Sequence, residues 1–251
     1  MELVMHIRNV KSIKDITFSF PLEKGLYAIT GENASGKSTL VACASCVFFN
    51  MPMYEYFGKP SGDASIEFSL GGATRKWEFS NKKWQKYTSA KRMSLSGFYE
   101  GSIIFGNRFK DTNFDALRTL DKIRTEDVDV ADEFIQKNLG IILHNDPAYY
   151  TKLYSIKEEV KHTLGLKGHS YFYQVEDGKF ISQARMSTGE NLLITILHSL
   201  NLRRYNRMKF DDGRPFIVFL DEIELALHAS SLRRLLLFLQ QISDEVDAAI
   251  F

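Results

Sequence analysis

The sequence has few cysteines, no excess of charge of either sign and no long apolar run. Two cysteines, Cys43 and Cys46, are too few for a disulfide-stabilised secreted scaffold. The 32 Lys+Arg nearly balance the 31 Asp+Glu, which excludes nucleic-acid binding through bulk positive charge but not through a local patch. No stretch approaches the roughly 18 consecutive apolar residues of a transmembrane helix. We therefore expect a cytoplasmic protein with no membrane partner.

The composition is that of a folded chain. Hydrophobic residues make up 44% and charged residues 25% of the 251 residues, so the chain can bury a core and global disorder is excluded. The first residues lack a basic segment followed by an apolar one, so no signal peptide is expected. The length predicts one large domain or two small ones, at roughly 100–200 residues per domain.

Apolar periodicity and turn residues predict the secondary structure. The strands are predicted as two over 2–20 (the second at 16–20), an antiparallel group over 64–90, a hairpin over 171–182, and buried strands at 26–30, 102–105 and 216–220. The helices are predicted at 37–50, 190–206 and 229–243, the last with Leu232, Leu235, Leu236 and Leu239 on one side. Residues 111–167 are predicted to be helical and polar, with a solvated acidic stretch at 124–133.

A glycine-rich loop carries the strongest motif. Residues 31–38 match G-x-x-x-x-G-K-[ST], between a predicted buried strand and a predicted helix. Glycines let the backbone N–H groups point at phosphate oxygens, and the helix start adds its positive end. Lys37 is predicted to reach the β- and γ-phosphates and to serve catalysis, and Ser38 to bind Mg²⁺. The predicted ATP-binding residues are Gly31, Glu32, Asn33, Ala34, Ser35, Gly36, Lys37, Ser38 and Thr39.

Two carboxylates follow the most apolar predicted strand. Asp221 and Glu222 come directly after residues 216–220, where parallel strands of α/β folds hold ligands. Asp221 is predicted to hold Mg²⁺ together with Ser38, and Glu222 to orient and deprotonate the attacking water. Taken alone, two acidic residues here would equally fit an ordinary helix start.

A third motif, Ser187-Thr188-Gly189-Glu190, precedes the helix predicted at 190–206. By itself it is typical of a helix cap. The order phosphate loop, S-x-G-E, then four apolar residues and D-E resembles the ABC ATPases. In that family the S-x-G-[EQ] signature contacts the γ-phosphate bound to the other subunit. The resemblance implies that Ser187, Gly189 and Glu190 complete a neighbour's ATP site, with two ATP molecules between two head-to-tail copies.

Further segments resemble one branch of that family. Residues 7–15 and 26–33 look like the soluble SMC/RecF/OLD-like branch, and 221–228 resembles the D-E-x-E-x-x-L-H run of OLD-like and PARIS-like anti-phage ATPases. This resemblance implies an α/β P-loop NTPase, an ABC ATPase head with an antiparallel β subdomain and a helical subdomain. It also implies a homodimer or higher oligomer that controls an effector protein, such as a nuclease, in anti-phage defence.

The resemblance covers almost the whole chain and implies a single head over 1–251. Its expected parts are an N-terminal lobe (1–110), a helical insertion with a hairpin (111–185), and a lobe with the signature and the acidic strand end (186–251). In the family a last strand ends in a histidine that contacts the γ-phosphate. Residues 246–251 look like the start of that strand, so we expect a longer native chain.

Three other residues are weaker candidates. Asn107 lies where the family has a glutamine loop and could replace it as a polar ligand for metal or water. His228 lies in a region that faces the dimer partner in related ATPases, with a purely structural role equally open. Lys11, in the first hairpin, is expected to approach the nucleotide on the strength of the resemblance.

Residues 75–92 interleave basic and aromatic side chains and include both tryptophans. This composition fits a nucleic-acid platform, a protein partner surface or an ordinary hairpin with one solvated face. Cys43 and Cys46 have C-x-x-C spacing without a second pair, so core packing is predicted rather than zinc. Besides the defence ATPase, three alternatives stay open: a RecF-like DNA-repair ATPase, a nucleotide-dependent scaffold with little hydrolysis and, third, a transporter subunit.

Overall fold

The computed structural model describes residues 1–48, 57–60, 62–101, 119–166, 168–210 and 213–251. The chain divides into two compact units. The first unit comprises Met1–Gly101, Lys209–Asp221 and Leu239–Phe251, and the second comprises Ser102–Met208 and Glu222–Phe238. Among the described residues, no helix is both long and apolar enough to cross a membrane.

An antiparallel sheet in the first unit has the strand order β2-β1-β4-β5-β6. Its strands are β1 (Glu2–Val10), β2 (Ile13–Pro21), β4 (Ala64–Leu70), β5 (Ala73–Ser80) and β6 (Lys83–Thr88). Gly71 and Gly72 turn between β4 and β5, and Asn81 and Lys82 between β5 and β6, all four with positive φ. The predicted antiparallel group and the two strands over 2–20 are confirmed.

A second sheet in the first unit is parallel, in the order β3-β13-β12-β7. Its strands are β3 (Gly25–Leu26), β7 (Ser96–Glu100), β12 (Phe216–Leu220) and β13 (Ala248–Ile250). The buried strand predicted at 216–220 is confirmed. The one predicted at 102–105 lies outside the described residues, while β7 was not predicted because Ser96 and Gly97 interrupt its apolar pattern.

The buried strand predicted at 26–30 is wrong. Only Gly25–Leu26 pairs, at an edge of the described sheet, and Leu26 is 37% exposed. The apolar pattern has another cause, since the Tyr27 ring stacks on Phe251 with centroids 4.8 Å apart. The apolar residues after Leu26 therefore reflect aromatic packing beside the sheet and not a buried strand.

Helix α1 (Lys37–Ser45) starts directly after the glycine-rich loop and is shorter than the predicted 37–50. Cys43 and Cys46 are buried in the core as free thiols, which confirms their predicted packing role. Burial raises the pKa of both thiols far above its ordinary value. Neither is therefore a thiolate near neutral pH, the form that metal binding requires.

The second unit contains an antiparallel sheet in the order β11-β10-β9-β8. Its strands are β8 (Val128–Val130), β9 (Leu153–Ile156), β10 (Tyr171–Gln174) and β11 (Phe180–Ser182), and β10 and β11 form the predicted hairpin. The helices α2 (Glu133–His144) and α3 (Glu158–Thr163) lie between them in sequence. The prediction that 111–167 is helical and polar is therefore wrong over part of the described residues 119–166, where β8 and β9 bury Val128, Leu153 and Ile156.

Two long helices follow, α4 (Thr188–Phe210) and α5 (Ala229–Val246), and both are longer than predicted. On α5, Leu235 and Leu239 are fully buried, but Leu236 is 40% exposed, against the prediction. One residue is about 100° of rotation in an α-helix, so Leu236 lies well off the stripe through Leu235 and Leu239.

Candidate functional site

The glycine-rich loop is tightly curled in front of α1. Gly36 precedes the helix with φ 94°, and Ala34 has φ 62°, so both lie in the left-handed region. A Cβ added to Gly31 would lie 2.9 Å from Ser35 Oγ. Glycine is therefore required at Gly36 by backbone conformation, whereas a Cβ at Gly31 would displace only the Ser35 hydroxyl, which can rotate.

Lys37 is the first residue of α1, and its side chain reaches back across the loop. Its Nζ donates to the carbonyl oxygens of Gly31 and Glu32, both at 2.8 Å. Gly36, the residue before α1, offers no side chain to cap the helix. Because the first N–H groups of a helix have no intrahelical acceptors, this loop presents backbone donors and an ammonium at one place.

Ser38 and Asp221 meet beside the loop, although 183 positions separate them. Ser38 Oγ donates to Asp221 Oδ1 at 3.5 Å, and the Asp221 N–H donates to Glu100 O at the end of β7. Asp221 follows β12 and is only 9% exposed. The parallel pairing of β12 with β7 thus sets the height of the carboxylate relative to the loop.

This pair of oxygens suits Mg²⁺. Octahedral Mg²⁺ binds oxygen at about 2.1 Å, so neighbouring ligands lie about 3.0 Å apart, near the observed separation of Ser38 and Asp221. No cluster of three or more His, Cys, Asp or Glu that could hold a metal occurs among the described residues. A site with one carboxylate and one hydroxyl fits Mg²⁺, which commonly takes one or two carboxylates together with phosphates and water.

Glu222 has a left-handed backbone, with φ 55° and ψ 30°. It precedes a short 3-10 turn, Ile223–Leu225, and is partly buried. Positive φ is uncommon for a non-glycine residue and costs on the order of 1–3 kcal/mol. Such a backbone occurs in tight turns, as at Asn81 and Lys82, and also clusters at active sites and switch regions.

The turn between β1 and β2 lies against the glycine-rich loop. A Cβ added to Gly36 would lie 3.5 Å from Ile13 Cγ1 and 3.7 Å from Ser12 Oγ. Lys11 begins this turn with φ 50°, and burial of its ammonium lowers its pKa. The turn that carries Lys11 is therefore beside the loop, while contact between Lys11 and a nucleotide stays a prediction.

The Ser187–Glu190 segment forms a reciprocal cap at the start of α4. Ser187 N donates to Glu190 Oε2 at 2.8 Å, and Glu190 N donates to Ser187 Oγ at 3.2 Å. Tyr150 OH donates to the other carboxylate oxygen, Glu190 Oε1, at 2.7 Å. The sequence did not reveal Tyr150, because nothing in its neighbourhood indicates a partner 40 positions away.

Gly189 is required by a close contact. A Cβ there would lie 2.9 Å from Ala226 O and 3.1 Å from Leu227 Cδ2, and Gly189 is buried. His228, just after these residues, is exposed directly before α5, and its carbonyl accepts from Leu232 N at 2.9 Å. Asn107 lies outside the described residues.

The basic segment 75–92 forms most of the β5–β6 hairpin. Trp77 and Trp84 are 2% and 3% exposed, and their indole N–H groups donate to Cys46 O and Gly58 O. Buried rings cannot stack on bases, so a platform based on these tryptophans is wrong. The hairpin alternative describes the segment, with Lys82 and Lys83 exposed on it.

Comparison with known proteins places the chain. The family model described as AAA domain matches residues 5–224. The chain belongs to the AAA domain family. No curated protein matches this AAA domain.

Two solved structures are similar to this AAA domain in fold. One is the Smc head domain with an extended coiled coil bound to the C-terminal domain of ScpA, derived from Pyrococcus furiosus: TM-score 0.56, 12% identity, covering 100% of this chain and 89% of that one. The other is an SmcHead bound to the C-winged helix domain of ScpA: TM-score 0.53, 14% identity, covering 98% and 87%. The predicted fold, an α/β P-loop NTPase with the architecture of an ABC ATPase head, is confirmed.

Proposed function

We propose that this AAA domain protein binds ATP with Mg²⁺ at the loop 31–39 and hydrolyses it as a head-to-tail pair of copies. The observation that carries the proposal is the meeting of Lys37, Ser38 and Asp221 around one curled loop. Backbone donors, an ammonium and two oxygen ligands are the groups that a bound nucleoside triphosphate and its metal require.

Each side chain of the proposed site has a separate role. Lys37 exchanges the carbonyls of Gly31 and Glu32 for phosphate oxygens, with which an ammonium forms stronger, charge-assisted bonds. Ser38 and Asp221 hold the cation, which when bound neutralises charge on the β- and γ-phosphate oxygens. Glu222, adjacent to Asp221 in the chain, orients the attacking water and accepts its proton.

The signature acts on the ATP of the second copy. Ser187 is exposed, and its Oγ accepts from Glu190 N within the cap, so the hydroxyl hydrogen can donate to a phosphate oxygen. The start of α4 adds its positive end at the same place. Two such contacts, one in each direction, give a symmetric pair in which neither site is complete without the other copy.

Glu222→Gln tests the hydrolytic step. The amide cannot accept the proton, so we expect unchanged ATP affinity and turnover at least about 100-fold lower, as for loss of a general base. Nucleotide titration and steady-state phosphate release measure the two quantities. Glu224→Gln, an exposed carboxylate two residues along, is the matched control and retains turnover. Wild-type turnover in Glu222→Gln would refute the assignment of the base.

We further propose that hydrolysis controls an effector protein in anti-phage defence. The resemblance of Asp221–His228 to OLD-like and PARIS-like ATPases supports this role, and the similar Smc heads are bound to domains of ScpA. Phage plating efficiency on a host carrying the gene with its neighbours tests it. Wild type reduces plating and Glu222→Gln does not; equal plating with and without the gene contradicts the defence role.

The second candidate is a RecF-like ATPase that responds to DNA. Lys82, Lys83 and Lys86 are all exposed on the β5–β6 hairpin, which gives DNA a cationic surface without stacking rings. DNA added to the phosphate-release assay separates the candidates. Stimulation that disappears when these lysines become Glu favours the RecF-like function, and turnover indifferent to DNA favours an effector-controlling ATPase. Assembly without measurable turnover would favour the nucleotide-dependent scaffold.

A further inference from the structure

Tyr150 connects the segment after α2 to the signature. Its hydroxyl donates to Glu190 Oε1 at 2.7 Å, and the residue is only 1% exposed. Glu190 Oε2 accepts from Ser187 N at 2.8 Å. One carboxylate therefore joins Tyr150 to Ser187, and the cap at the start of α4 has an anchor outside α4.

The segment that carries Tyr150 is itself fixed. Asn145, directly after α2, has a left-handed backbone, and Asp146 N donates to Gly140 O at 3.3 Å. A Cβ added to Gly140 would collide with Asp146 O, so only glycine lets the chain fold back over the helix end. Arg234 donates to two carbonyls of the last turn of α2, at 2.8 and 3.0 Å.

The side chains around Tyr150 hold the hydroxyl in one direction. His144 Nε2 lies 3.2 Å from Tyr150 OH, and the His144 ring stacks on Tyr149 with centroids 3.6 Å apart. Tyr173 packs edge-on against the Tyr150 ring at 5.7 Å. A ring confined on several sides has little rotational freedom, so its hydroxyl specifies where Glu190 must lie.

The charges agree with this geometry. Burial raises the pKa of Glu190, but the bonds from Ser187 and Tyr150 lower it more, so the net pKa lies below its ordinary value. Burial, followed by the bond to Glu190, raises the pKa of Tyr150. Near neutral pH the pair is therefore a carboxylate and a neutral phenol, in which the phenol must donate.

We propose that Tyr150 is a positioning residue for the signature, holding Glu190 so that Ser187 meets the γ-phosphate bound to a second copy. The proposal rests on the proposed head-to-tail function. Tyr150 belongs to the second unit and the loop 31–39 to the first. Its loss therefore leaves ATP binding at the loop intact and weakens the contribution that the copy makes to its neighbour.

Tyr150→Phe removes only the hydroxyl. In a Glu222→Gln background, which keeps ATP bound, we expect the concentration for half-maximal ATP-dependent dimerisation to rise about tenfold, as for one lost charge-assisted hydrogen bond. Light scattering during gel filtration measures it. We expect Tyr150→Phe to leave ATP affinity unchanged. In the chain with an unaltered Glu222, we expect it to lower turnover about tenfold. Tyr149→Phe, the adjacent tyrosine with no bond to Glu190, is the matched control.

Mixing two defective variants distinguishes positioning from general damage. Lys37→Ala has a defective loop and an intact signature, whereas Tyr150→Phe has the reverse. Their mixed dimer contains one site built entirely of unaltered parts, so turnover of the mixture exceeds the sum of the separate turnovers. Ser187→Ala mixed with Lys37→Ala is the positive control.

Each outcome of the mixing decides one claim. Wild-type behaviour of Tyr150→Phe, or a loss that Lys37→Ala does not rescue while the Ser187→Ala mixture is rescued, overturns the positioning role alone. Failure of the Ser187→Ala mixture overturns the head-to-tail function itself, and the positioning role with it. Rescue of both mixtures supports both.

Discussion

The glycine-rich loop and the signature satisfy their polar groups in different ways. In the loop, the ammonium of Lys37 binds carbonyls of the same loop, partners that phosphate oxygens can replace. In the signature, Ser187, Glu190 and Tyr150 form a closed set of hydrogen bonds that leaves the cap complete. On the proposed function, the loop exchanges partners when nucleotide binds, whereas the signature is shaped beforehand. Substitutions in the loop should affect ligand binding, and those near the signature should affect stability and geometry.

Removing the Lys37 ammonium should weaken ligand binding at the glycine-rich loop, and this is the largest of the expected effects. We expect Lys37→Ala to weaken ATP binding at least about 100-fold, because charge-assisted bonds to the phosphates are lost. Isothermal titration measures the dissociation constant, and Lys83→Ala, at an exposed position on β6, is the control. An unchanged constant in Lys37→Ala would show that the loop is not the nucleotide site.

A side chain added at Gly189 should disturb the packing of the signature, which is the second member of this comparison. In Gly189→Ala the new methyl lies 2.9 Å from Ala226 O, so the backbone must shift, at a cost of about 1–3 kcal/mol in the free energy of unfolding. Denaturant unfolding measures this loss, and ATP affinity at the loop is retained.

Gly168→Ala is the matched control for that substitution. It lies in the same unit, and a Cβ there meets no atom within 4 Å. Equal stability of the two variants would mean that the second unit tolerates a shift at Gly189, and that the signature is not rigidly packed.

Lowering the pH should reduce the free energy of unfolding through the second unit, which carries the signature, and this is the smallest of the expected effects. The rings of His169 and His198 stack at 4.7 Å in the second unit, and burial lowers the pKa of both imidazoles. Below about pH 6.5 the unfolded chain takes up protons that the folded chain does not yet bind. The stability contributed by the neutral pair is thus complete above that pH and falls as the pH drops through the lowered folded pKa values.

Denaturant unfolding at pH 7, 6 and 5 measures this slope. We expect His198→Gln to flatten it, whereas His162→Gln, a histidine whose side chain is 79% exposed, leaves it as in wild type. A slope equally steep in His198→Gln would assign the acid sensitivity to other groups.

Local patterns predicted the parts of the site that local chemistry determines. The loop 31–38 and the cap at Ser187 follow from short motifs, and Asp221 from the end of an apolar strand. Tyr150 could not be predicted, because its bond to Glu190 depends on how the chain after α2 folds back. The left-handed backbone of Glu222 is equally invisible, since glutamate carries no preference for it.

The fold shows the same division. Hairpins such as β4–β5 have their turn residues beside them in sequence and were predicted. Strands β8 and β9 were missed, because β8 is three residues long and pairs with a segment beyond α2. Leu26 was assigned to the interior on composition alone, whereas its place at the edge of a sheet depends on pairing with β13.

The parallel sheet also constrains the order in which the protein can fold during synthesis. Gly25 pairs with Ala249, and Ser96 with Phe216, so each ladder joins segments made far apart in time. The sheet over 128–182 joins segments made close together and can form first, because closing short loops costs less entropy. Asp221 reaches Ser38 only after most of the chain has left the ribosome. The nascent chain therefore carries the residues of the glycine-rich loop long before it has the carboxylate that meets Ser38.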